Sequence, residues 1–248
     1  KSESLFKYLS EYKKFILPTP LMNIINGGAH ANNALDFQEI MIMPLGASSF
    51  SEALRWGAEI FHNLKLVLSE NSLSTSVGDE GGFSPEIRNV EEALELLSKA
   101  IKNAGRNLDN DINFAIDAAS SEFYKNNFYE MNNGQTKIDT NAMIKIWEKL
   151  VKTYPIISLE DPLEENDFEG YKEITNLIGN DIQIVGDDLF ATNINRLTKG
   201  INLGAANSIL IKLNQIGTLS ETIETVSLAK KNNYGTIISH RSGETEDT

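Results

Sequence analysis

Seven short apolar or β-branched runs, most of them separated by stretches of helical length, are what this chain must accommodate. They lie at residues 21–26, 38–43, 112–117, 156–160, 182–187, 208–213 and 236–240. Each is short enough for a strand, and each carries apolar residues on both faces, as strands covered by helices do. From Ser51, the residues Leu54, Ala58, Phe61, Leu64 and Leu68 recur at steps of three or four; from Val90, Ala93, Leu94, Leu97 and Ile101 do the same before Gly105 supplies a stop. Further helices fit 140–152, 167–178, 193–199 and 218–232. The order is strand, strand, helix, helix, then strand–helix repeated, which predicts an α/β fold of the parallel-barrel kind.

An eight-stranded barrel needs one strand more than these seven. The expectation is therefore a barrel incomplete at its C-terminal end, with an exposed edge. Residues 1–16 read as a separate helical piece, with Leu5, Tyr8, Leu9 and Tyr12 on it, ending before Pro18 and Pro20. They are expected to be the end of a preceding domain or a linker helix, with 17–248 as the partial barrel. A first residue of Lys1 rather than Met points to a processed or cut chain.

Composition excludes several classes. Of 248 residues 41% are apolar, and 17 more are glycine, which calls for a packed core rather than disorder. The 22 Lys and Arg against 35 Asp and Glu give a net charge of −13, with no basic stripe for a phosphate backbone, so nucleic acid is not expected as a partner. The absence of Cys removes disulfides, thiolate zinc sites and thiol nucleophiles. No apolar run reaches the roughly 18 residues of a membrane span and no secretory signal opens the chain, so a cytoplasmic location is expected.

In α/β barrels catalytic groups gather at the C-terminal ends of strands. The runs end on Asp117, Glu160, Asp187, near Lys212, and on His240, separated by 43, 27, 25 and 28 residues. Three successive carboxylates would place three like charges in one mouth, which is unfavourable unless a hard cation sits between them; Mg²⁺ with oxygen ligands is the natural occupant. Asp161 and Asp188 follow directly and read as capping or supporting groups. Lys212 closes the apolar run SILIK, so its ammonium must be paired or pushed neutral: carboxylates would raise its pKa, bound cations would lower it, and a lysine so poised can be a general base.

The segment SVGDEGGFSP at 76–85 sets Asp79 and Glu80 among glycines, where a carboxylate can project from a tight loop; the Lys or Ser/Thr of a phosphate loop is missing. His30 follows Gly27 and Gly28, and Gln38-Glu39 opens the second run. His62, beside Phe61 in a helix, reads as a packing residue. His240-Arg241-Ser242-Gly243 joins a proton-handling group to a guanidinium and a hydroxyl suited to a phosphate or carboxylate.

The stretches NIINGGAHANNALDFQEIMIMP, VGDEGGFSP, DAASSEFY, SLEDPLEENDFEGY, VGDDLFATN, ILIKLNQIGTLSET and SHRSGETEDT resemble the enolases (phosphopyruvate hydratases) in their bacterial-looking form, from about Leu17 to Thr248 in the family's order and spacing. The resemblance implies a barrel of the form ββαα(βα)n beginning with two antiparallel strands, and a lyase that reversibly dehydrates 2-phosphoglycerate to phosphoenolpyruvate with two Mg²⁺ per site. It implies Asp117, Glu160 and Asp187 as ligands of the first Mg²⁺, and Lys212 as the base at C2. Glu80 would be the acid at the C3 hydroxyl, supported by Glu39, with His240 near the reacting end. Gln38 and His30 would line the pocket, and Arg241 and Ser242 would hold the phosphate. It further implies a cytoplasmic homo-oligomer, dimer or octamer, with a surface pool in some members. The family's N-terminal capping domain and the last strand, with a second lysine, have no counterpart in these residues, so a fragment that is poorly active alone is expected. Two other readings compete: a sugar-acid dehydratase or racemase sharing the three carboxylates, and a scaffold that binds without turnover. The loop around Glu80 and the run at 239–243 favour the enolase reading, because they supply an acid and a phosphate contact.

Overall fold

The computed structural model of the chain describes residues 4–10, 15–31, 33–78 and 80–241. A five-residue helix α1 (Leu5–Leu9) buries none of its side chains. Two strands follow, β1 (Met22–Asn26) and β2 (Glu39–Met43), and then two long helices, α2 (Phe50–Glu70) and α3 (Val90–Asn103). Both helices open on a capping residue. The Ser49 hydroxyl accepts the N–H of Glu52 and the Asn89 side chain accepts that of Glu92, each satisfying an amide that the first turn leaves free.

Strand β3 (Asn113–Asp117) does not lead straight into a helix. It is followed by three short strands, β4 (Tyr124–Lys125), β5 (Phe128–Met131) and β6 (Thr136–Ile138), which pair into a small sheet of their own. Alternation then resumes with α4 (Thr140–Thr153), β7 (Ile156–Glu160), α5 (Phe168–Ile178), β8 (Gln183–Gly186), α6 (Ile194–Leu203) and β9 (Ser208–Ile211). A one-turn α7 (Leu213–Ile216), α8 (Leu219–Lys231) and β10 (Gly235–Ile238) complete the described elements. Helix α6 stops at Gly204, whose φ of +71° lies where a side chain would be strained.

The seven strands β1-β2-β3-β7-β8-β9-β10 form one curled sheet, an incomplete barrel. The pairs β1/β2 and β2/β3 are antiparallel, and every later pair is parallel. The strand expectations thus stand within one or two residues, with two corrections. The strand–helix rhythm is interrupted after β3 by the hairpin sheet. Asp187, Lys212 and His240 lie just beyond β8, β9 and β10 rather than on them, because ladder pairing ends at Gly186, Ile211 and Ile238.

Pleating divides the sheet into two faces. Ile40 and Ile42 of β2 and Phe114 and Ile116 of β3 point outward into the main core, where they meet Ile60, Leu64, Leu94 and Leu97 of α2 and α3. Met41, Met43 and Ala115 point inward and form a second, smaller cluster with Leu21 and Ile157. Ile157 joins them because the β3/β7 register slips by one residue there, pairing Phe114 with Ile156 and Ala115 with Ser158. Above this inner cluster, on the same face, stand Glu39, Asp117 and Glu160.

Trp147 of α4 ties the segment before β2 to the loop after β7. It is fully buried, stacks on Phe37 with centroids 4.6 Å apart, and donates its indole N–H to the carbonyl of Pro162 at 2.9 Å. Trp147→Ala should lower unfolding free energy by about 3–5 kcal/mol, through a cavity and an orphaned carbonyl. Denaturant titration checks this, and a loss under about 1 kcal/mol would remove Trp147 from that role.

Candidate active site

Strand pairing builds the acidic side of the site. Glu39 sits opposite Asp117 across β2/β3, and Asp117 opposite Glu160 across β3/β7. Because β2 runs antiparallel to β3, the first residue of β2 arrives at the same rim as the last residue of β3. Gln38 donates its amide N–H to Asp117 Oδ2 at 3.0 Å, and the Ala119 N–H reaches Asp117 Oδ1 at 2.9 Å. One strand further, Asp187 Oδ2 accepts a hydrogen bond from the Lys212 ammonium. Asp117, Glu160 and Asp187 are 6%, 7% and 8% exposed, so three carboxylates are nearly out of water together.

That burial governs their protonation. Desolvation, followed by the charges of neighbouring carboxylates, pushes Asp117 and Glu160 well above the ordinary carboxylate range. Asp161 is pushed up to about 7 by the same burial, then by Asp187 and Asp188. Glu39 is also raised, by burial first; the charges of His30, His240 and Lys212 pull it down and that of Glu80 pushes it up. For Lys212, burial favours the neutral amine, but the charge and hydrogen bond of Asp187, together with Glu160, outweigh it and leave its pKa raised.

The other side of the mouth is built by the loop before α3. The loop is laid along β1 by two backbone bonds, Phe83 N–H to the Ile24 carbonyl and Asn26 N–H to the Phe83 carbonyl, both 2.8 Å. Gly82 is needed for that approach, since a Cβ there would come within 2.6 Å of Asn26 Oδ1 and 2.9 Å of the β1 backbone. Glu80 projects from this loop and pairs with His240 Nε2 at 2.9 Å, while His30 Nδ1 lies 3.3 Å from Glu39. Arg241 lies close enough to Lys212 for its charge to disfavour the ammonium. The structure therefore gathers ten of the eleven expected site residues into one mouth: His30, Gln38, Glu39, Glu80, Asp117, Glu160, Asp187, Lys212, His240 and Arg241. Ser242 and Asp79 lie outside the described residues. His62, expected to pack, is exposed, its ring edge-on to Phe61.

Three further residues shape the rim. Asp161, expected as a capping or supporting group, accepts from the backbone N–H groups of Asp187 and Asp188. Thr192, at φ +52°, accepts the Lys212 N–H at 2.9 Å and so fixes where the lysine leaves the strand. The buried amide of Asn26 packs against Gly78 and Gly82 beneath Glu80. Thr192 and Asn26 escape sequence reasoning; of the two only Asn26 lies within an apolar run, where its polar amide could have flagged it.

The donor set suits a hard cation. Asp187 Oδ1 is buried and has no hydrogen-bond donor among the described residues, an acceptor that a cation would satisfy. Among the described residues, ligand atoms converge within 4.8 Å in two groups, Asp161/Asp187/Asp188 and His30/Glu39/Glu80. Asp117 and Glu160 do not fall within so tight a group with Asp187, whose other oxygen is drawn to Lys212.

An α/β barrel with its polar chemistry collected at the strand-end mouth defines the class of protein. The family model described as "Enolase, C-terminal TIM barrel domain" matches residues 14–248. The chain is also 54% identical over 246 residues to the Enolase of Corynebacterium kroppenstedtii, an alignment that covers 98% of this chain and 57% of that protein. The chain belongs to the enolase family. It spans little more than half the length of that relative.

The raised carboxylates give a signed pH dependence. Between the unfolded values near 4 and a folded value of about 7, as for Asp161, the folded state holds protons that the unfolded chain has released, so this cluster's contribution to stability falls as pH rises through that window. In protein treated with chelator, the thermal midpoint of Asp117→Asn should therefore decline less between pH 5 and pH 8 than that of the parent. Parallel declines would mean that burial and the acidic neighbours of Asp117 do not raise its carboxyl above the unfolded value.

Proposed function

We propose that the protein carrying this chain catalyses the reversible, Mg²⁺-dependent dehydration of 2-phosphoglycerate to phosphoenolpyruvate, as a hydro-lyase of glycolysis and gluconeogenesis. The observation that carries this reading is that a base and an acid come from different elements to one carboxylate-walled mouth: Lys212 is paired with Asp187, and the Glu80 carboxylate lies within 4.8 Å of that of Glu39, which sits opposite Asp117. Dehydration needs that pairing: one group removes a proton from C2, and another hands a proton to the hydroxyl leaving C3.

Asp117, Glu160 and Asp187 are the residues that would hold Mg²⁺ beside the substrate carboxylate. Bound there, the ion supplies positive charge where removal of the C2 proton adds negative charge to an already anionic molecule. With Asp187 and Glu160 engaged by a cation, the charges that raise the Lys212 pKa would be offset, and the Lys212 Nζ could give up its own proton and then take the one at C2. The electron pair left behind forms the C2=C3 double bond, and the C3 hydroxyl departs as water with a proton from the Glu80 carboxyl. His240, bonded to Glu80, and His30, beside Glu39, orient the two glutamates. Gln38 holds Asp117 in place. Arg241, with Ser242, binds the phosphate through charge-assisted hydrogen bonds.

The test separates base from acid in the complete protein. Lys212→Ala should lower Mg²⁺-dependent formation of phosphoenolpyruvate by about 10²–10⁴-fold and abolish exchange of the C2 proton with solvent. Glu80→Gln should lose dehydration to a similar degree but retain C2 exchange. Turnover that survives chelator, or that survives loss of Lys212, would overturn the assignment.

A further inference from the structure

We propose that Asp161 and Tyr171 form a positioning pair that fixes the direction of the Asp187 side chain and thereby sets the affinity of the mouth for a divalent cation. The inference rests on the reading of Asp187 as a cation ligand. Its basis is a set of contacts that gives the expected supporting role of Asp161 a definite target.

Asp161 is 2% exposed, and both of its carboxylate oxygens are engaged. Oδ1 accepts the N–H of Asp187 at 3.0 Å and the hydroxyl of Tyr171 at 2.9 Å; Oδ2 accepts the N–H of Asp188 at 2.6 Å. Holding the amides on both sides of Asp187 fixes the two peptide planes that flank its Cα. With those planes fixed, the Cα–Cβ bond of Asp187 has one direction, and its carboxylate can swing only about its own torsions.

The main chain of Asp161 adds two more ties. Its N–H donates to the Val185 carbonyl at 3.0 Å, and its carbonyl accepts the Ser120 N–H at 3.1 Å. A single residue therefore links the ends of β3, β7 and β8, the strands that deliver Asp117, Glu160 and Asp187. It does so with a φ of +41°, a left-handed conformation that is strained for a residue with a side chain and persists only when surrounding contacts over-determine it. Tyr171 comes from α5, fully buried in the main core, so the position of its hydroxyl is set by packing rather than by the mouth. The chain of constraint runs from the core through Tyr171 and Asp161 to the backbone of Asp187.

The same contacts argue against Asp161 as a ligand itself, although its oxygen lies in the compact group with Asp187 and Asp188. A carboxylate accepting from three donors has little left to offer a cation, and turning it to do so would release two buried N–H groups.

The test is a calorimetric titration of the complete protein with Mg²⁺ alone, without substrate, for the parent, Asp161→Asn and Tyr171→Phe, each checked for folding by circular dichroism. Asp161→Asn keeps the volume but puts an NH₂ where one backbone N–H needs an acceptor, and should weaken Mg²⁺ binding by about 10–100-fold. Tyr171→Phe leaves both carboxylate oxygens and removes their hydroxyl anchor, along with the weaker 3.2 Å contact of that hydroxyl to the Leu163 carbonyl, and should weaken Mg²⁺ binding by a smaller but measurable factor. A purely structural role would lower the melting temperature of both variants and leave the Mg²⁺ affinity of the folded protein unchanged. That result, with parent-like binding within about twofold in folded Asp161→Asn, overturns the proposal while leaving the function standing. If Asp161→Asn does not fold, Tyr171→Phe decides alone by the same criterion. A parent that neither binds Mg²⁺ nor turns over would overturn the functional reading and this proposal together.

Discussion

Repulsion among carboxylates buried at neighbouring strand ends is the interaction to which the rest of the mouth responds. Two like charges near 4 Å cost about 4 kcal/mol at an effective dielectric of 20, and Asp117 has Glu39 on one side and Glu160 on the other. Among the described residues the local compensation includes one ammonium on Asp187, one side-chain amide and one backbone N–H on Asp117, and two backbone amides and the Tyr171 hydroxyl on Asp161. Burial and repulsion still win, as the upward shifts of Asp117 and Glu160 record. Sites that keep such an imbalance gain from it when a cation is part of the function, because the same charges that destabilise the protein alone become its binding energy.

The antiparallel start of the sheet is what makes the site two-sided. Had β2 run parallel to β3, Glu39 would lie at the opposite rim, with Met43 at the mouth. As built, reversing β2 places Glu39 between the strand-end acids and the loop bearing Glu80, and the β1 backbone serves as the rail on which that loop is laid. The helix pair α2 and α3 packs behind this unit and supplies the outer core. The sequence order of strand, strand, helix, helix is therefore a functional arrangement as well as a topological one.

Elements whose pattern was hydrophobic and local were legible in the sequence. The seven sheet strands and six longer helices are placed by apolar period and by caps such as Ser49 and Asn89, which act within their own first turn. The hairpin sheet was not legible: its strands are two to four residues long, and its first turn depends on Asn126 and Asn127 at positive φ rather than on a glycine. Among the site residues, Asp117, Glu160 and Asp187 declare themselves by position. Glu39 begins a strand instead of ending one, so a rule about strand ends passes over it, and only resemblance to a family marked it out. Asp161 was legible as a capping or supporting group from its place after Glu160, but its partner 26 residues away was not, and Thr192 depends on left-handed backbone and a partner 20 residues away, which no local pattern encodes.

The two halves of the mouth differ in their access to water, and the proposed chemistry explains why they should. The carboxylates meant for a cation are nearly buried, where field strength is high and competing hydration low. On the other half the His240 side chain is 72% exposed and that of Glu80 28%, so solvent reaches the acid. An acid that gives up a proton at each turnover must be recharged from water, whereas a ligand must hold its geometry without exchange. Dryness on one side and access on the other are opposite demands on one cavity. The fold meets them by taking the ligands from paired strands and their immediate ends, and the acid and its histidine partner from segments beyond them.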